Sequence, residues 1–456
     1  MKRRWTSYVL GCGLLLLAAT AEAATYYVAT TGDDASPGTI SAPFRTIAKG
    51  VSVMRPGDAL YIRAGTYAES VDTNYMNIPS GAAGIPTVIS AYQNEVVTVH
   101  GGVGVGNRSY VTFNGLVVDG QGVRGTVGIN ASSHITVSNC EIKNSIYDGI
   151  QFSYSLGSLP SFVTIDRCRI HDNGNPETLT PAQHHGIYVI GTNSTFTNNV
   201  IYNNSGSGIQ QYDAGQGLDN NVYANNILYD NNTWSTHGLY NLQLGAGDNT
   251  LAYNNVIYNT NAEQYASNCL GVRFISPTNT KVYNNTISGC DVGVEVGSDS
   301  SHATIKNNII YQASTNIWDS GTSTILSTNL TTDPKFIDTA SNNFHLQPSS
   351  LAINTGLSLP EVPCDFNGNA RPAGGAYDIG AYEYGAAPGG GCAGGGPTPT
   401  RGDLTGDGTR DLADVRLLIY MLLGQQPKTP EADLTGDGAV TLADVQALIR
   451  LMVGLP

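Results

Sequence analysis

Asn198-Asn199-Val200-Ile201-Tyr202, Asn225-Asn226-Ile227-Leu228-Tyr229 and Asn254-Asn255-Val256-Ile257-Tyr258 are three copies of one phrase. It continues at Asn284-Asn285-Thr286-Ile287 and Asn307-Asn308-Ile309-Ile310-Tyr311. Between the copies stands a second phrase, a glycine followed by an aliphatic residue. It occurs at Gly128-Ile129, Gly149-Ile150, Gly186-Ile187, Gly208-Ile209, Gly238-Leu239, Gly271-Val272 and Gly293-Val294. The two alternate with a period of roughly 21 to 37 residues, a usual length for solenoid units.

One unit cannot bury its apolar row alone, but stacked units can. Short β-branched strands between Asn and Gly turns predict stacked parallel strands, with equivalent residues ~4.8 Å apart along the axis. The second Asn of each pair (Asn199, Asn226, Asn255, Asn285, Asn308) is expected to form an internal amide ladder at a turn. In the two preceding units Cys140 and Cys168 hold that position, and are expected to be stacked and buried. The fold class that follows is all-β, a right-handed parallel β-helix solenoid.

Composition agrees. Only 13% of residues are charged, 41% are hydrophobic, and Gly (54) and Tyr (25) are abundant, so a packed core is affordable and disorder is excluded. Lys2, Arg3 and Arg4, the apolar run at Leu14–Leu17 and the Ala21-Glu22-Ala23 site read as a signal peptide over residues 1–23, too short to span a bilayer. Its removal takes away three cations and Glu22, moving the formal charge from −14 to −16. Such acidity argues against nucleic acid as partner. Export allows oxidation. Cys269 with Cys290, and Cys364 with Cys392, are candidate pairs.

Solenoid ends need covers. Phe44, Ile47, Ala48 and Val51 are spaced for a short amphipathic helix over Pro43 to Met54, ended by Pro56-Gly57, capping the first coil. Residues 333–384 are expected to cover the other end.

The opening Tyr26-Tyr27-Val28 … Ser36-Pro37-Gly38-Thr39 … Ala42-Pro43-Phe44-Arg45-Thr46-Ile47 … Arg55-Pro56-Gly57-Asp58 resembles that of secreted right-handed β-helix proteins of the pectate-lyase-like, alginate- or chondroitin-lyase-like and epimerase-like kinds. Ala352-Ile353-Asn354-Thr355-Gly356 with Asp378-Ile379-Gly380-Ala381-Tyr382-Glu383 is similar to the closing segment of bacterial "choice-of-anchor Q" β-helix proteins. Residues 24–384 thus form one domain, and the resemblance implies a carbohydrate-active protein without fixing its reaction.

Residues 385–400, rich in Gly and Pro, read as a linker to a module at 401–456. The module holds two twelve-residue loops, Asp403-Leu-Thr405-Gly-Asp407-Gly408-Thr409-Arg-Asp411-Leu-Ala-Asp414 and Asp433-Leu-Thr435-Gly-Asp437-Gly438-Ala439-Val-Thr441-Leu-Ala-Asp444. Oxygen side chains at positions 1, 3, 5, 9 and 12, a carbonyl at 7 and glycine at 6 suit calcium, a hard cation taking six to eight oxygens. The pair resembles a type I dockerin. That implies two Ca2+ ions, one held by Asp403, Thr405, Asp407, Thr409, Asp411 and Asp414, the other by Asp433, Thr435, Asp437, Ala439, Thr441 and Asp444. It also implies a cohesin-bearing scaffold as partner. Thr replaces the usual Asn at position 3, and Leu412-Ala413 and Leu442-Ala443 stand where cellulosomal dockerins often carry Ser-Thr-like residues.

The residue after each Gly-aliphatic pair is expected to point outward, giving the row Asn130, Gln151, Tyr188, Gln210, Tyr240, Arg273, Glu295. Asp148, His185, Ser207 and His237 precede the glycines at its edge. A polar and aromatic row along a solenoid suits a polysaccharide chain. A lyase needs a cation to neutralise a uronate carboxylate and a base for the α-proton. Arg273, Tyr240, His237 and His185 are the catalytic candidates, with Gln151, Tyr188, Gln210 and Glu295 lining the substrate. The resemblance to β-helix lyases adds a further groove calcium, although the clustered aspartates of family 9 pectate lyases are not evident. Against these roles, Arg273 and Glu295 suit a surface ion pair, the tyrosines suit exposed strand positions, and Asp148 suits a turn cap. The expectation is a secreted polysaccharide lyase, with a glycoside hydrolase or a non-catalytic polysaccharide-binding protein as alternatives.

Overall fold

The computed structural model describes residues 23–386 except 94, 122–126, 156, 175–183, 213–216, 234–238, 246 and 261–268, and, beyond 386, residues 402, 404, 412–422, 432, 434–435 and 439–452. Residues 1–22 of the expected signal peptide, His237, Cys392, residues 387–400 of the expected linker and Asp403, Thr405, Asp407, Thr409, Asp411, Asp433 and Asp437 lie outside the described residues.

The chain winds into three parallel sheets of twelve, ten and ten strands, a right-handed parallel β-helix. Within one coil it passes from the twelve-stranded sheet (Thr195–Thr197, for example) to the second sheet (Val200–Tyr202) and then to the third (Ile209–Gln211). The third carries the Gly-aliphatic phrases and is called the groove sheet below. Alternate side chains point inward, so Ile165, Phe196, Tyr223, Ala252, Val282 and Ile305 fill the core without exposure.

The Asn-Asn pair does two jobs. Its first member, Asn198, Asn225, Asn254, Asn284 or Asn307, has φ between 51 and 58°, the left-handed region that Asn tolerates better than other side chains. Its second member forms the expected ladder. Each amide donates to the Oδ1 of the next, from Asn199 through Asn226, Asn255, Asn285 and Asn308, at 2.9–3.0 Å. The ladder runs one step further, to Asn329, and begins at Cys168, whose backbone N–H donates to Asn199 Oδ1. Cys140 and Cys168 are free and buried. Asn255→Ala strands two donors of Asn226 and one carbonyl, of Tyr223. With about 1–3 kcal/mol for each buried unsatisfied group, urea denaturation of this variant is expected to show a loss of about 3 kcal/mol; a loss below ~1 kcal/mol would mean the ladder is not under stabilising tension.

A second ladder, not expected from the phrases, joins Asn173, Asn204, Asn231 and Asn241 at the next turn. It explains the glycines of three coils, Gly149, Gly186 and Gly208. A Cβ at Gly186 would lie 2.9 Å from Asn204 Nδ2 and 2.6 Å from Gly208 O; one at Gly208 would lie 2.8 Å from Asn231 Nδ2. The glycine leaves room for the ladder amide beside it.

The helix Ile47–Val53 caps the first coil, started by Thr46, whose side chain accepts from Lys49 N. Glu69 accepts from the N–H groups of Ile47 and Ala48. Gly50, rather than Ala48, faces the core, where a Cβ would meet Leu60 at 2.6 Å. The Cys269–Cys290 disulfide is present. Cys364 is also disulfide-bonded; its expected partner, Cys392, lies outside the described residues.

Residues 333–384 do not cover the solenoid's end. They fold back along its flank, where Phe336, Phe344, Ile379 and Tyr382 pack on Val200, Ile227, Tyr229, Val256 and Tyr258 of the second sheet. The last strands stay open, with Ile325 and Leu326 exposed. The reason is the tyrosine column of the second sheet. Tyr202, Tyr229 and Tyr258 stack outward at 4.9 and 5.0 Å, and this apolar stripe needs the cover more than the end does.

The column continues to His171, stacked on Tyr202 at 4.6 Å and set between Asp172 and Glu141 at 2.6 and 3.1 Å. Burial opposes its charge, but the two carboxylates raise its proton affinity above the usual value of 6.5. The His171 bond holds Glu141 down at about 2 from 4.5. Signs follow from linkage. His171 contributes stability that is complete below pH 6.5 and lost as pH rises through its elevated folded value. Glu141 contributes stability present above pH 4.5 and lost as pH falls toward 2. The pair's own contribution to stability is therefore expected to be greatest between about pH 4.5 and 6.5, so the stability difference between the native chain and His171→Gln should be largest in that window and shrink on either side; a difference that does not vary with pH contradicts the assignment.

Candidate functional site

On the groove sheet, strand register fixes which outward side chains share a row. Asp72, Gly104, Gly128, Gln151, Tyr188, Gln210, Gln243, Arg273, Glu295 and Trp318 are successive partners. Two expected members fall elsewhere. Asn130 pairs with Gly106 and Ser153, two residues along the strand, because Val127 rather than Ile129 aligns with Ile150. Tyr240 pairs with Leu270 and Gln243 takes its place, because the aliphatic aligned with Val272 is Leu242, not Leu239. In that coil Asn241 stands where others have glycine and accepts the last ladder bond, from Asn231.

Tyr240 nevertheless reaches the row. Its hydroxyl donates to Glu295 Oε2, two coils away, and the Arg273 guanidinium lies 5.3 Å from its ring centroid, a cation–π distance. Arg273 Nε and Glu295 Oε1 are 3.4 Å apart. Arg273, Tyr240 and Glu295 are thus brought together by three adjacent coils. Arg273 and Glu295 line a cavity of about 240 Å³ with Asp299, Trp318, Ser298 and Ser320 among others; Tyr240 is buried and reaches it through these two side chains. Asp299, from the turn after the Glu295 strand, had no signal in the row pattern. Burial raises the Glu295 carboxyl above its ordinary 4.5, and lowers Arg273 somewhat. Desolvation therefore outweighs their mutual attraction, which at 3.4 Å and partial exposure is weak.

His185 is not part of this cluster. It lies three coils N-terminal, about 14 Å along the axis, and is 2% exposed. Its Nδ1 accepts from the Ser207 backbone N–H and its own N–H donates to Asp148 Oδ1. Its ring stacks beside Tyr188 at 5.8 Å. Burial, helped by His184, drives its proton affinity down to about 3, and burial raises Asp148 to about 7. Asp148, His185 and Ser207 form a buried rim that ties three coils together.

Gln151, Tyr188 and Gln210 do line the row, half-buried, and the Gln210 side-chain oxygen has no hydrogen-bond partner. A second cavity of about 390 Å³ lies toward the N-terminal coils, between Asp72, Arg108, Asn130 and Ser153. Among the described residues no three His, Cys, Asp or Glu side chains converge as a metal site.

A family model for the Pel9A-like right-handed β-helix region matches residues 26–232, and one for the right-handed β-helix region matches 177–331. The crystal structure of pectate lyase Pel9A superposes with a TM-score of 0.61 at 18% identity, over 79% of this chain and 96% of that one. The fold is that of the pectate-lyase-like β-helices. A rhamnogalacturonan lyase superposes with a TM-score of 0.51 at 15% identity, over 72% and 95% of the two chains. In sequence, the uncharacterized protein YwoF of Bacillus subtilis is 28% identical over 63% of this chain and 69% of its own length. Pectate lyase PEL9 of Emericella nidulans is 38% identical over 17% of this chain and 19% of its own.

In the C-terminal module, helices Leu412–Leu422 and Leu442–Met452 follow the two loops and pack through Leu418, Met421, Val445 and Leu448. Asp414 and Asp444, at position 12 of each loop, have no exposure. Asp414 accepts from Leu404 N; Asp444 accepts from Thr435 N and Thr441 N at 2.8 and 2.7 Å. Each carboxylate thus ties the start of its helix to backbone N–H groups of the preceding loop. No described helix is long and apolar enough to cross a membrane.

Proposed function

We propose that the chain is a secreted polysaccharide lyase acting on a uronate-containing polymer, with a dockerin-type module that binds two Ca2+ and a cohesin-bearing scaffold. The observation that carries the reading is the convergence of Arg273, Tyr240 and Glu295 beside one open cavity on a polar row that runs along the solenoid. The pectate-lyase-like fold supports it.

The roles follow from position. Arg273 neutralises the carboxylate of the uronate, which acidifies the adjacent C5–H. Glu295, with its raised proton affinity, takes that proton. The C–H electron pair becomes the C4–C5 double bond as the C4–O bond breaks. Tyr240 donates its phenolic proton to the departing oxygen and recovers one from Glu295, to which it is hydrogen-bonded. The cycle closes with no net change in the protein.

Asp299 beside Glu295 favours a second reading, a glycoside hydrolase using two carboxylates. Incubation of the full chain with polyuronates and heteropolysaccharides separates the two. The lyase reading expects new ultraviolet absorbance from the unsaturated product. Reducing ends without absorbance would replace it with hydrolysis, and retention on polymer without either product would leave binding alone.

In the module, Asp403, Thr405, Asp407, Asp411 and Asp414 with the Thr409 carbonyl would hold one calcium. Asp433, Thr435, Asp437, Thr441 and Asp444 with the Ala439 carbonyl would hold the other. Metal binding and folding are coupled in small modules. Chelation is expected to remove the helical part of the circular dichroism spectrum and leave the β signal, reversibly on adding Ca2+. A helical signal indifferent to chelator contradicts the assignment.

A further inference from the structure

The groove's charge says which uronate polymers fit it. Between Arg169 and Arg273 the sequence contains no lysine and no arginine, while Asp172, Glu177, Asp213, Asp219, Asp230, Asp248 and Glu263 fall in the same stretch. This stretch builds the four coils that place Tyr188, Gln210, Gln243 and Arg273 in the row, together with every turn bordering them. No loop there, whatever its position, brings a permanent cation. Among the described residues the histidines of this stretch do not substitute. His184 and His185 are held neutral by burial, and His171 stands on the second sheet between two carboxylates.

Toward the other end the position is similar. Arg273 is followed in the row by Glu295 and Trp318, and the cavity there adds Asp299. In the N-terminal coils Arg108 lines the second cavity, but its guanidinium already donates to the carbonyls of Ile78, Gly106 and Asn107 and to Asn77.

A homopolyuronate laid along the row would bring a carboxylate with every sugar, roughly one per ~4.8 Å coil. Over the span from Gln151 to Gln243 each would meet amides and a tyrosine, in a stretch of chain whose formal charge is negative, which disfavours binding. Neutral sugars meet what they need there. Gln151 and Gln210, both half-buried, offer donors and acceptors to hydroxyls, and the buried Gln210 oxygen has no bond to give up in turning toward one. Tyr188 and Trp318 offer ring surface.

We propose that the groove takes a largely neutral polysaccharide in which isolated uronates are flanked by neutral sugars, one carboxylate resting on Arg273, and that it discriminates against homopolyuronates. This rests on the reading of the row as a polysaccharide groove.

The test holds linkage constant and varies charge. Polygalacturonate and alginate are each compared with the same polymer after most of its carboxyls have been chemically reduced to the neutral sugar. Binding to the full chain is titrated with Ca2+ and with chelator, at two salt concentrations. The partly reduced polymers are expected to bind about tenfold more tightly than the parents, with little salt dependence. Gln210→Lys, which adds a cation two coils from Arg273, is expected to restore much of the parents' affinity and make it salt-sensitive. Equal or tighter binding of the unreduced polymers by the native chain, with or without Ca2+, overturns the discrimination while leaving the groove intact. Binding of no form, parent or reduced, by a folded protein overturns the groove reading and this inference with it.

Discussion

Arg273→Ala is expected to lower turnover by about 10²- to 10³-fold, the usual cost of removing one preorganised group from developing negative charge. Arg273 is the row's cation among the described residues. Its loss leaves Glu295 beside an uncompensated substrate carboxylate, which raises the proton affinity of both. Stability should change little, because the guanidinium is about a third exposed and its ion pair is long, at 3.4 Å. Arg273→Lys should recover part of the rate, since a point charge remains while the planar fork and its stacking on Tyr240 are lost. Glu295 as base also sets a pH dependence. Its carboxyl titrates above 4.5, so kcat/KM is expected to rise with pH through that elevated value, and Glu295→Gln should abolish the limb with the activity. Steady-state kinetics beside thermal melts check both claims. A full-rate Arg273→Ala enzyme would remove this site from the mechanism.

The second large effect lies far from the groove. Arg371 has no side-chain exposure and bonds Glu383 at 2.6 Å. Its remaining donors reach the carbonyls of Cys364, Asp378, Gly380 and Ala381 and the Asn254 side chain. Glu383 in turn accepts from Ala373 N and Asp378 N. This network joins the closing segment to the Asn254 turn of the coils. Removing one partner of such a buried pair strands the other charge, at about 3–5 kcal/mol. Arg371→Ala and Glu383→Ala are each expected to lose that much, and the double variant less than their sum. The cover hides the tyrosine column, so the variants should also gain binding of a hydrophobic dye. Urea denaturation of all three proteins checks the cycle; a loss under ~1 kcal/mol for Arg371→Ala would mean the cover is held by its apolar contacts alone.

The fold was legible because the Asn-Asn phrase encodes two physical requirements at once, a left-handed turn residue and a buried ladder amide, and few other arrangements use both. The groove row was legible in part. Gly186-Ile187, Gly208-Ile209, Gly271-Val272 and Gly293-Val294 align as their phrases imply. Gly238-Leu239 misled because the ladder ends in that coil, and Asn241 takes the glycine's place. Nothing local distinguishes a glycine that clears a ladder from one in a turn. Asp299 and the flank position of residues 333–384 depend on long-range packing. For the cover, the signal was present in the outward tyrosines Tyr202, Tyr229 and Tyr258, which at three successive coils make a stripe too apolar to leave in water. The DIGAYE segment resembles a closing motif, but its chemistry, carboxylates gathered around Arg371, appears only when residues 365–384 are folded together.

The most direct measurement is a crystal structure of the full chain carrying Glu295→Gln, soaked with a uronate-containing oligosaccharide. The account predicts sugar rings along Gln151, Tyr188 and Gln210, with one carboxylate in hydrogen-bonding contact with Arg273 and the adjacent glycosidic oxygen near the Tyr240 hydroxyl. Sugar bound at another face, or along the row with its carboxylate remote from Arg273, would contradict it.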